Sequence, residues 1–197
     1  MTASDLLTAL APVVDALEAL AVRYFVGGSV ASSVRGVPRT SIDVDLVADL
    51  ESQHVTSLME RLGGHYYVDE GRVRAAVEAR RAFNLIHLAT MFKVDIFVSK
   101  GRSFDRQAFD RAGLAPLDDA PDARRFRVAS SEDAILAKLE WFRAGGEVSE
   151  RQWADVLGVL RMAGAGIDRE YLARWATALG VSDLMARALD ESASSKA

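Results

Sequence analysis

The chain has 197 residues, half of them hydrophobic, a formal net charge of −4 and no cysteine. This length suits one domain, or one domain with a helical extension. The absence of cysteine excludes disulfide frameworks and thiolate chemistry, and the charge balance excludes a globally basic nucleic-acid binder. The first residues are polar and no apolar run reaches membrane-spanning length, so we expect a cytoplasmic protein with no signal peptide and no membrane partner.

Up to residue 128 the spacing of the apolar residues predicts a mixture of helices and strands, and Gly, Pro and Ser residues between them indicate turns. The predicted helices lie at 4–21, 30–35, 51–62, 71–80 and 103–111, the last with Ser103 as its cap, and the predicted strands lie at 24–26, 42–47, 65–68, 83–88, 92–98, 114–117 and 125–128. The strands at 83–88 and 92–98 are close enough in sequence to form an antiparallel pair.

From Ser130 onward the sequence predicts only helices. They lie at 131–144, 149–162, 168–179 and 182–193. We therefore predict an α+β fold with two parts. Residues 1–129 form a small mixed or antiparallel sheet with flanking helices, and residues 130–197 form a C-terminal helical bundle.

One stretch of the first part predicts a chemical site. Gly27, Gly28 and Ser29 form a turn that feeds a helix, and free N–H groups at a helix N-terminus suit a phosphate. Further along, Asp43 and Asp45 project from the same face of a strand, because side chains alternate with a period of two. Adjacent carboxylates repel each other, and a divalent cation between them is the usual explanation. The stretch therefore predicts a metal–triphosphate site.

These residues resemble the nucleotidyltransferase superfamily, which has the DNA polymerase β-like fold. Gly28-Ser29, a spacer of thirteen residues and Asp43-Val44-Asp45 follow its signature, and Asp95 lies in the apolar context expected of a third carboxylate. The longer stretch from the glycine turn to the acidic strand is most similar to AbiEii-type bacterial toxins and their stand-alone relatives. The resemblance covers roughly residues 20–160.

The resemblance implies a nucleoside triphosphate substrate and a two-metal site that takes Mg²⁺ or Mn²⁺. Asp43 and Asp45 would bind both metals, and Asp95 would bind the metal nearer the acceptor and help to deprotonate the acceptor hydroxyl. The alternative is a surface strand with solvated aspartates.

The nucleotide would be bound by Gly28, Ser29, Arg39 and Lys138. Three of them have a plainer alternative: Ser29 would cap the following helix, Arg39 would pair with Asp43, and Lys138 would be an exposed lysine of an amphipathic helix. Asp155 resembles a recurring aspartate of the family, or it pairs with Lys138 or Arg151.

Charged residues near these motifs are harder to assign. Lys93 lies beside Asp95, and we expect it to point to the opposite face of the strand and to have no role. Two basic clusters either grip a polynucleotide or are solvated surface. They are Arg72, Arg74, Arg80 and Arg81 in the first, and Arg124, Arg125 and Arg127 in the second.

Three functions remain open. The first is an enzyme that transfers a nucleotide to RNA, such as a tRNA 3′ end, as a toxin with an antitoxin partner. The second is an enzyme that modifies a protein hydroxyl or a small molecule such as an antibiotic. The third is an inactive nucleotide-binding module. The intact Asp43, Asp45 and Asp95 argue against the third.

Overall fold

The structure, a computed structural model, describes residues 3–36 and 43–194. Within these ranges the chain forms seven β-strands and nine α-helices. The strands are β1 (Tyr24–Val26), β2 (Asp43–Ala48), β3 (Tyr66–Tyr67), β4 (Ala82–His87), β5 (Lys93–Val98), β6 (Gly113–Pro116) and β7 (Arg125–Val128). The helices are α1 (Ala3–Ala19), α2 (Gly28–Arg35), α3 (Val55–Leu62), α4 (Glu70–Glu78), α5 (Ser103–Arg111), α6 (Ser131–Ala144), α7 (Glu150–Ala163), α8 (Arg169–Ala178) and α9 (Ser182–Ser194).

All seven strands belong to one mixed sheet, in the order β3-β4-β5-β2-β1-β7-β6. β2 and β5 run parallel at its centre, and β1 and β7 are also parallel. The other neighbours are antiparallel, including the pair of β4 and β5. The predicted α+β fold and the predicted antiparallel pair are therefore confirmed.

The central strands have one apolar face and one polar face. On β2, Val44 and Leu46 are fully buried, whereas Asp43 and Asp45 are only half-buried. β5 follows the same alternation, with Val94 and Ile96 among its buried side chains. The hydrophobic pattern thus sets the register of both strands, since a slip of one residue would bury the carboxylates.

Helix α1 covers the apolar face and contacts both central strands. Its apolar stripe is buried, and Leu10 and Leu17 are among the fully buried side chains. Tyr66 ties β3 to this helix, because its hydroxyl donates to the carbonyl of Ala9 at 2.8 Å. Burial raises the pKa of Tyr66 to about 12, so the hydroxyl stays a donor at neutral pH.

The helices after β7 begin at side-chain caps. Ser130, Ser149 and Asp168 each accept a backbone N–H from the first turn of the helix that follows. The predicted starts of these helices are correct to within one residue. Asp133 in α6 also accepts the hydroxyl of Tyr171 at 2.6 Å, which ties α8 to α6.

The described chain divides into two compact units. The first contains the residues up to Val30 and those from β2 to Val128, and the second contains α2 from Ala31 together with everything from Ala129. The second unit is therefore not contiguous in sequence. Among the described residues no helix is both long and apolar enough to cross a membrane.

Two local predictions differ from the structure. Residues 52–54 form a 3₁₀ turn before α3, so the predicted helix over 51–62 is only partly α-helical. The cap of α5 is Arg102 and not Ser103, because Asp105 reaches back to the N–H of Arg102 at 3.0 Å. Asp105 is the third residue of the helix, and its contact to Arg102 is one half of a capping box, which makes Ser103 the first helical residue.

Candidate active site

The glycine turn lies directly against the acidic strand. β1 ends at Val26, and the N–H of Gly27 donates to the carbonyl of Asp45 at 2.8 Å. Gly28 has a φ of +54°, and a Cβ on it would lie 1.6 Å from Asp45 Oδ2. Only glycine therefore fits at this position, and its lack of a side chain lets the turn touch the carboxylate.

The three predicted carboxylates come together on one face of the first unit. In the parallel pair, Asp45 lies opposite Asp95 and Asp43 lies opposite Lys93. Neighbouring strands are about 4.8 Å apart. All four side chains therefore project from the same face of β2 and β5, beside the glycine turn.

Lys93 belongs to this group, and the prediction that it points away is wrong. Residues 93 and 95 are two apart and share a face of the strand. Lys93 Nζ lies 2.7 Å from Asp95 Oδ2 and 3.9 Å from Asp43 Oδ2. The hydrogen bond to Asp95 is the largest cause of a raised pKa for Lys93, and the charges of Asp43 and Asp45 add to it. An ammonium is thus held among the carboxylates.

The donor set is suited to a hard divalent cation. Carboxylate oxygens are the ligands that Mg²⁺ prefers, usually one or two together with waters and phosphates. Asp43 and Asp45 offer such a pair, whereas Asp95 already binds Lys93. No group of three or more His, Cys, Asp or Glu residues within 3–36 and 43–194 is arranged to hold a metal ion.

A cavity of about 620 Å³ opens beside Asp95. Asn84, Asp95 and Phe97 line its sheet side, and Asn84 pairs with Asp95 across β4 and β5. The opposite wall comes from β3 and the first turns of α4, where Asp69 and Arg72 lie. A volume of this size matches the pockets that hold small molecules.

Only one arginine of the first basic cluster reaches this cavity, namely Arg72. Arg74 is paired with Glu70 at 2.8 Å, and Arg80 donates to the carbonyl of Ser99 at 2.5 Å. Two of the four arginines are therefore used within the fold, and Arg72 is the one that lines the cavity beside Asp95.

The second basic cluster is also engaged in local contacts. Arg124 pairs with Asp15 at 2.6 Å, and its guanidinium lies over the ring of Phe126. Arg125 donates to the carbonyl of Leu114 at 2.9 Å. Both side chains hold β7 to its surroundings, which leaves them less available for a polynucleotide.

The residues predicted to bind the nucleotide lie in different surroundings. Ser29 lies in the first turn of α2 and is almost fully buried beside Gly28. Arg39 lies outside the described residues, so its role stays a prediction. Lys138 is buried in α6, and its Nζ lies 2.8 Å from Asp155 Oδ2 in α7. The structure therefore contains the ion pair of Asp155 with Lys138, which was one of the alternatives for Asp155.

We expect the ion pair of Lys138 and Asp155 to stabilise the helical unit. Each side chain is only 11% exposed, so Lys138→Met would leave a buried carboxylate without its cation. The free energy of unfolding should fall by about 3 kcal/mol in urea titrations. Lys138→Met combined with Asp155→Leu should recover most of this loss. A loss below about 0.5 kcal/mol for Lys138→Met would contradict the expectation.

Sequence reasoning missed the cavity wall. The sequence predicts a helix at 71–80 that carries basic residues, but its composition does not indicate that Asp69 and Arg72 line a cavity with Asp95. The available signal was the spacing of Asp69 and Arg72. Asp69 accepts the N–H of Arg72 at 2.7 Å as the cap of α4, which places both residues at the same end of the helix.

Two solved structures with a similar fold are of one protein, ANT(2'')-Ia. The solution structure of the antibiotic-resistance factor ANT(2'')-Ia matches with a TM-score of 0.57 at 16% identity, over 96% of this chain and 97% of that chain. A crystal structure of ANT(2'')-Ia in complex with adenylyl-2''-tobramycin matches with a TM-score of 0.51 at 13% identity, over 88% and 95% of the two chains.

A lincomycin-bound lincosamide antibiotic adenylyltransferase, LnuA, has a TM-score of 0.46 at 16% identity, over 81% of this chain and 96% of that chain. The sequence matches no protein-family model and no curated protein. The two ANT(2'')-Ia matches show that this chain shares the fold of that protein, in agreement with the predicted α+β fold, and they show the fold alone. The similarity to AbiEii-type toxins stays a prediction.

Proposed function

We propose that this chain is a metal-dependent nucleotidyltransferase that moves a nucleoside monophosphate from a nucleoside triphosphate to a hydroxyl of a small molecule. The main support is the group of Asp43, Asp45 and Asp95 on one sheet face, with the glycine turn against Asp45. Phosphate binding and carboxylate chemistry are thereby brought to one place, as this reaction requires.

In this reaction the acceptor hydroxyl gives its proton to Asp95, and its oxygen forms a bond to the α-phosphorus. The bond from the α-phosphorus to the bridging oxygen breaks, and pyrophosphate leaves with that electron pair. Backbone N–H groups of Gly28 and Ser29 at the start of α2 would bind the phosphates of the leaving group. A divalent cation held by Asp43 and Asp45 would stabilise the negative charge that develops on the phosphates.

The cavity favours a small acceptor over RNA. It lies against Asp95, the proposed proton acceptor, and its volume of about 620 Å³ suits a drug-sized molecule. A polynucleotide would need several cations along its path, yet Arg74 and Arg80 are bound within the fold. The complex of ANT(2'')-Ia with adenylyl-2''-tobramycin is consistent with an antibiotic as the acceptor. RNA and an antitoxin partner have less support.

A labelling experiment tests the proposal. The protein is incubated with each α-labelled nucleoside triphosphate and Mg²⁺ or Mn²⁺, in parallel with a panel of hydroxylated antibiotics, with bulk tRNA and with total protein. We expect label on a small molecule and none with Asp45→Asn. Label on tRNA or protein would keep the enzyme class and overturn the acceptor. No transfer to any acceptor, with no nucleotide binding, would overturn the function.

Asp95 should matter more for turnover than for nucleotide binding. It lines the cavity, whereas the carboxylate that the glycine turn contacts is that of Asp45. Asp95→Ala is therefore expected to lower kcat by about a hundredfold or more, since a general base contributes this much. The nucleotide Kd should change by less than about threefold, because the glycine turn that would bind the phosphates contacts Asp45. A tenfold change would require a loss of about 1.4 kcal/mol of binding free energy. A large loss of nucleotide affinity with little loss of kcat would contradict this assignment.

A further inference from the structure

Lys93 makes the candidate site different from the two-metal site that the sequence predicts. Its ammonium binds Asp95 at 2.7 Å and approaches Asp43 at 3.9 Å. By resemblance, Asp95 would bind the metal nearer the acceptor. In this chain the cation beside Asp95 is the side chain of its own strand neighbour, held there by the strand geometry.

We propose that Lys93 is a fixed cation that takes the acceptor-side metal position, so that the chain binds one divalent cation, between Asp43 and Asp45. The proposal rests on the proposed nucleotidyl transfer and specifies its metal requirement. Lys93 acts through Asp95 and Asp43, and it is therefore a positioning residue.

The charges on this sheet face, and the short distance between Lys93 and Asp95, both support a single divalent cation. The face carries three carboxylates, and one ammonium together with one divalent cation neutralises them before the triphosphate binds. A second divalent cation on Asp95 would have to lie within a few ångströms of the ammonium, where like charges repel strongly. Asp43 and Asp45 on β2 would hold the single metal, with the glycine turn beside Asp45.

The ammonium also suits the role of Asp95 at the cavity. A carboxylate held by a hydrogen bond from Lys93 has a fixed orientation, with Asn84 as its cross-strand neighbour. In the transfer step Asp95 accepts the proton of the acceptor hydroxyl, and Lys93 holds the carboxylate of Asp95 in place. Lys93 itself neither gains nor loses a proton in this scheme.

Bound Mn²⁺ can be counted directly. The wild type, Lys93→Met, Lys93→Arg and Lys100→Met are titrated with Mn²⁺ in the presence of a non-hydrolysable analogue of each nucleoside triphosphate. Electron paramagnetic resonance then reports the number of bound ions and any magnetic coupling between two of them. Lys100 is an exposed lysine just beyond β5 and serves as the matched control. Thermal melting verifies that each variant is folded.

We expect one uncoupled Mn²⁺ per chain in the wild type, in Lys93→Arg and in Lys100→Met, and a coupled pair in Lys93→Met. In the same proteins kcat should fall at least about tenfold for Lys93→Met and less for Lys93→Arg, with the KM for nucleotide nearly unchanged. A coupled pair in the wild type would overturn the inference and leave the proposed function intact. A single ion in Lys93→Met would likewise overturn the inference. No bound Mn²⁺ in any variant would overturn both.

Discussion

Replacing Asp45 with asparagine is expected to lower kcat for nucleotidyl transfer by about a thousandfold or more, which corresponds to roughly 4 kcal/mol of transition-state stabilisation. Asparagine has nearly the same shape but cannot neutralise a divalent cation. Asp43→Asn should behave in the same way. Neither change should unfold the protein, since each removes repulsion between carboxylates that lie on one face of β2 and β5.

The measurement is kcat at saturating triphosphate together with the melting temperature. Asp49→Asn is the matched control, because Asp49 follows β2 directly and its backbone N–H donates to the carbonyl of Arg23. It should retain full activity. If Asp45→Asn and Asp43→Asn kept activity within tenfold of the wild type, the two aspartates would not be metal ligands and the proposed site would be wrong.

Gly28→Ala is expected to cost stability and activity together. The residue has a φ of +54°, and the new Cβ would lie 1.6 Å from Oδ2 and 2.8 Å from Cβ of Asp45. Backbone strain of about 1–2 kcal/mol adds to an overpacking cost of about 1–3 kcal/mol. The free energy of unfolding should therefore fall by about 2–5 kcal/mol, and Asp45 would be pushed from its position.

Two further glycine variants separate backbone strain from overpacking as causes of the lost stability. Gly27→Ala should be tolerated, because the nearest atoms to its Cβ would lie 3.9 Å away. Gly180→Ala tests backbone strain alone, since Gly180 has a φ of +70° with nothing within 4 Å. Urea unfolding should rank the losses as Gly28, then Gly180, then Gly27. Equal losses at Gly28 and Gly180 would mean that Asp45 moves aside at no cost.

Much of the fold follows from local sequence signals. The alternation of apolar and polar residues predicts β2 and β5 and the face that carries the aspartates, because one face of each strand is buried. Caps such as Ser130 and Ser149 predict where helices begin. These features depend on neighbouring residues, so a single sequence contains them.

Other features depend on distant parts of the chain. Nothing local to β2 indicates that it pairs in parallel with β5, and this pairing places Asp45 opposite Asp95. The cavity combines α4 with β4 and β5, and Asp155 could be assigned to Lys138 only when α6 and α7 were packed. Tertiary packing decides each of these contacts.

The position of β1 in the sheet has a consequence for biosynthesis. β1 pairs with β7, where Val26 lies opposite Val128 across about half of the chain. A growing polypeptide therefore cannot complete the sheet until β7 has left the ribosome, and closing so long a loop slows folding. Until then the edge of β1 is unpaired and open to association with other chains. Chains truncated before residue 125 should consequently aggregate, whatever the stability of the finished protein.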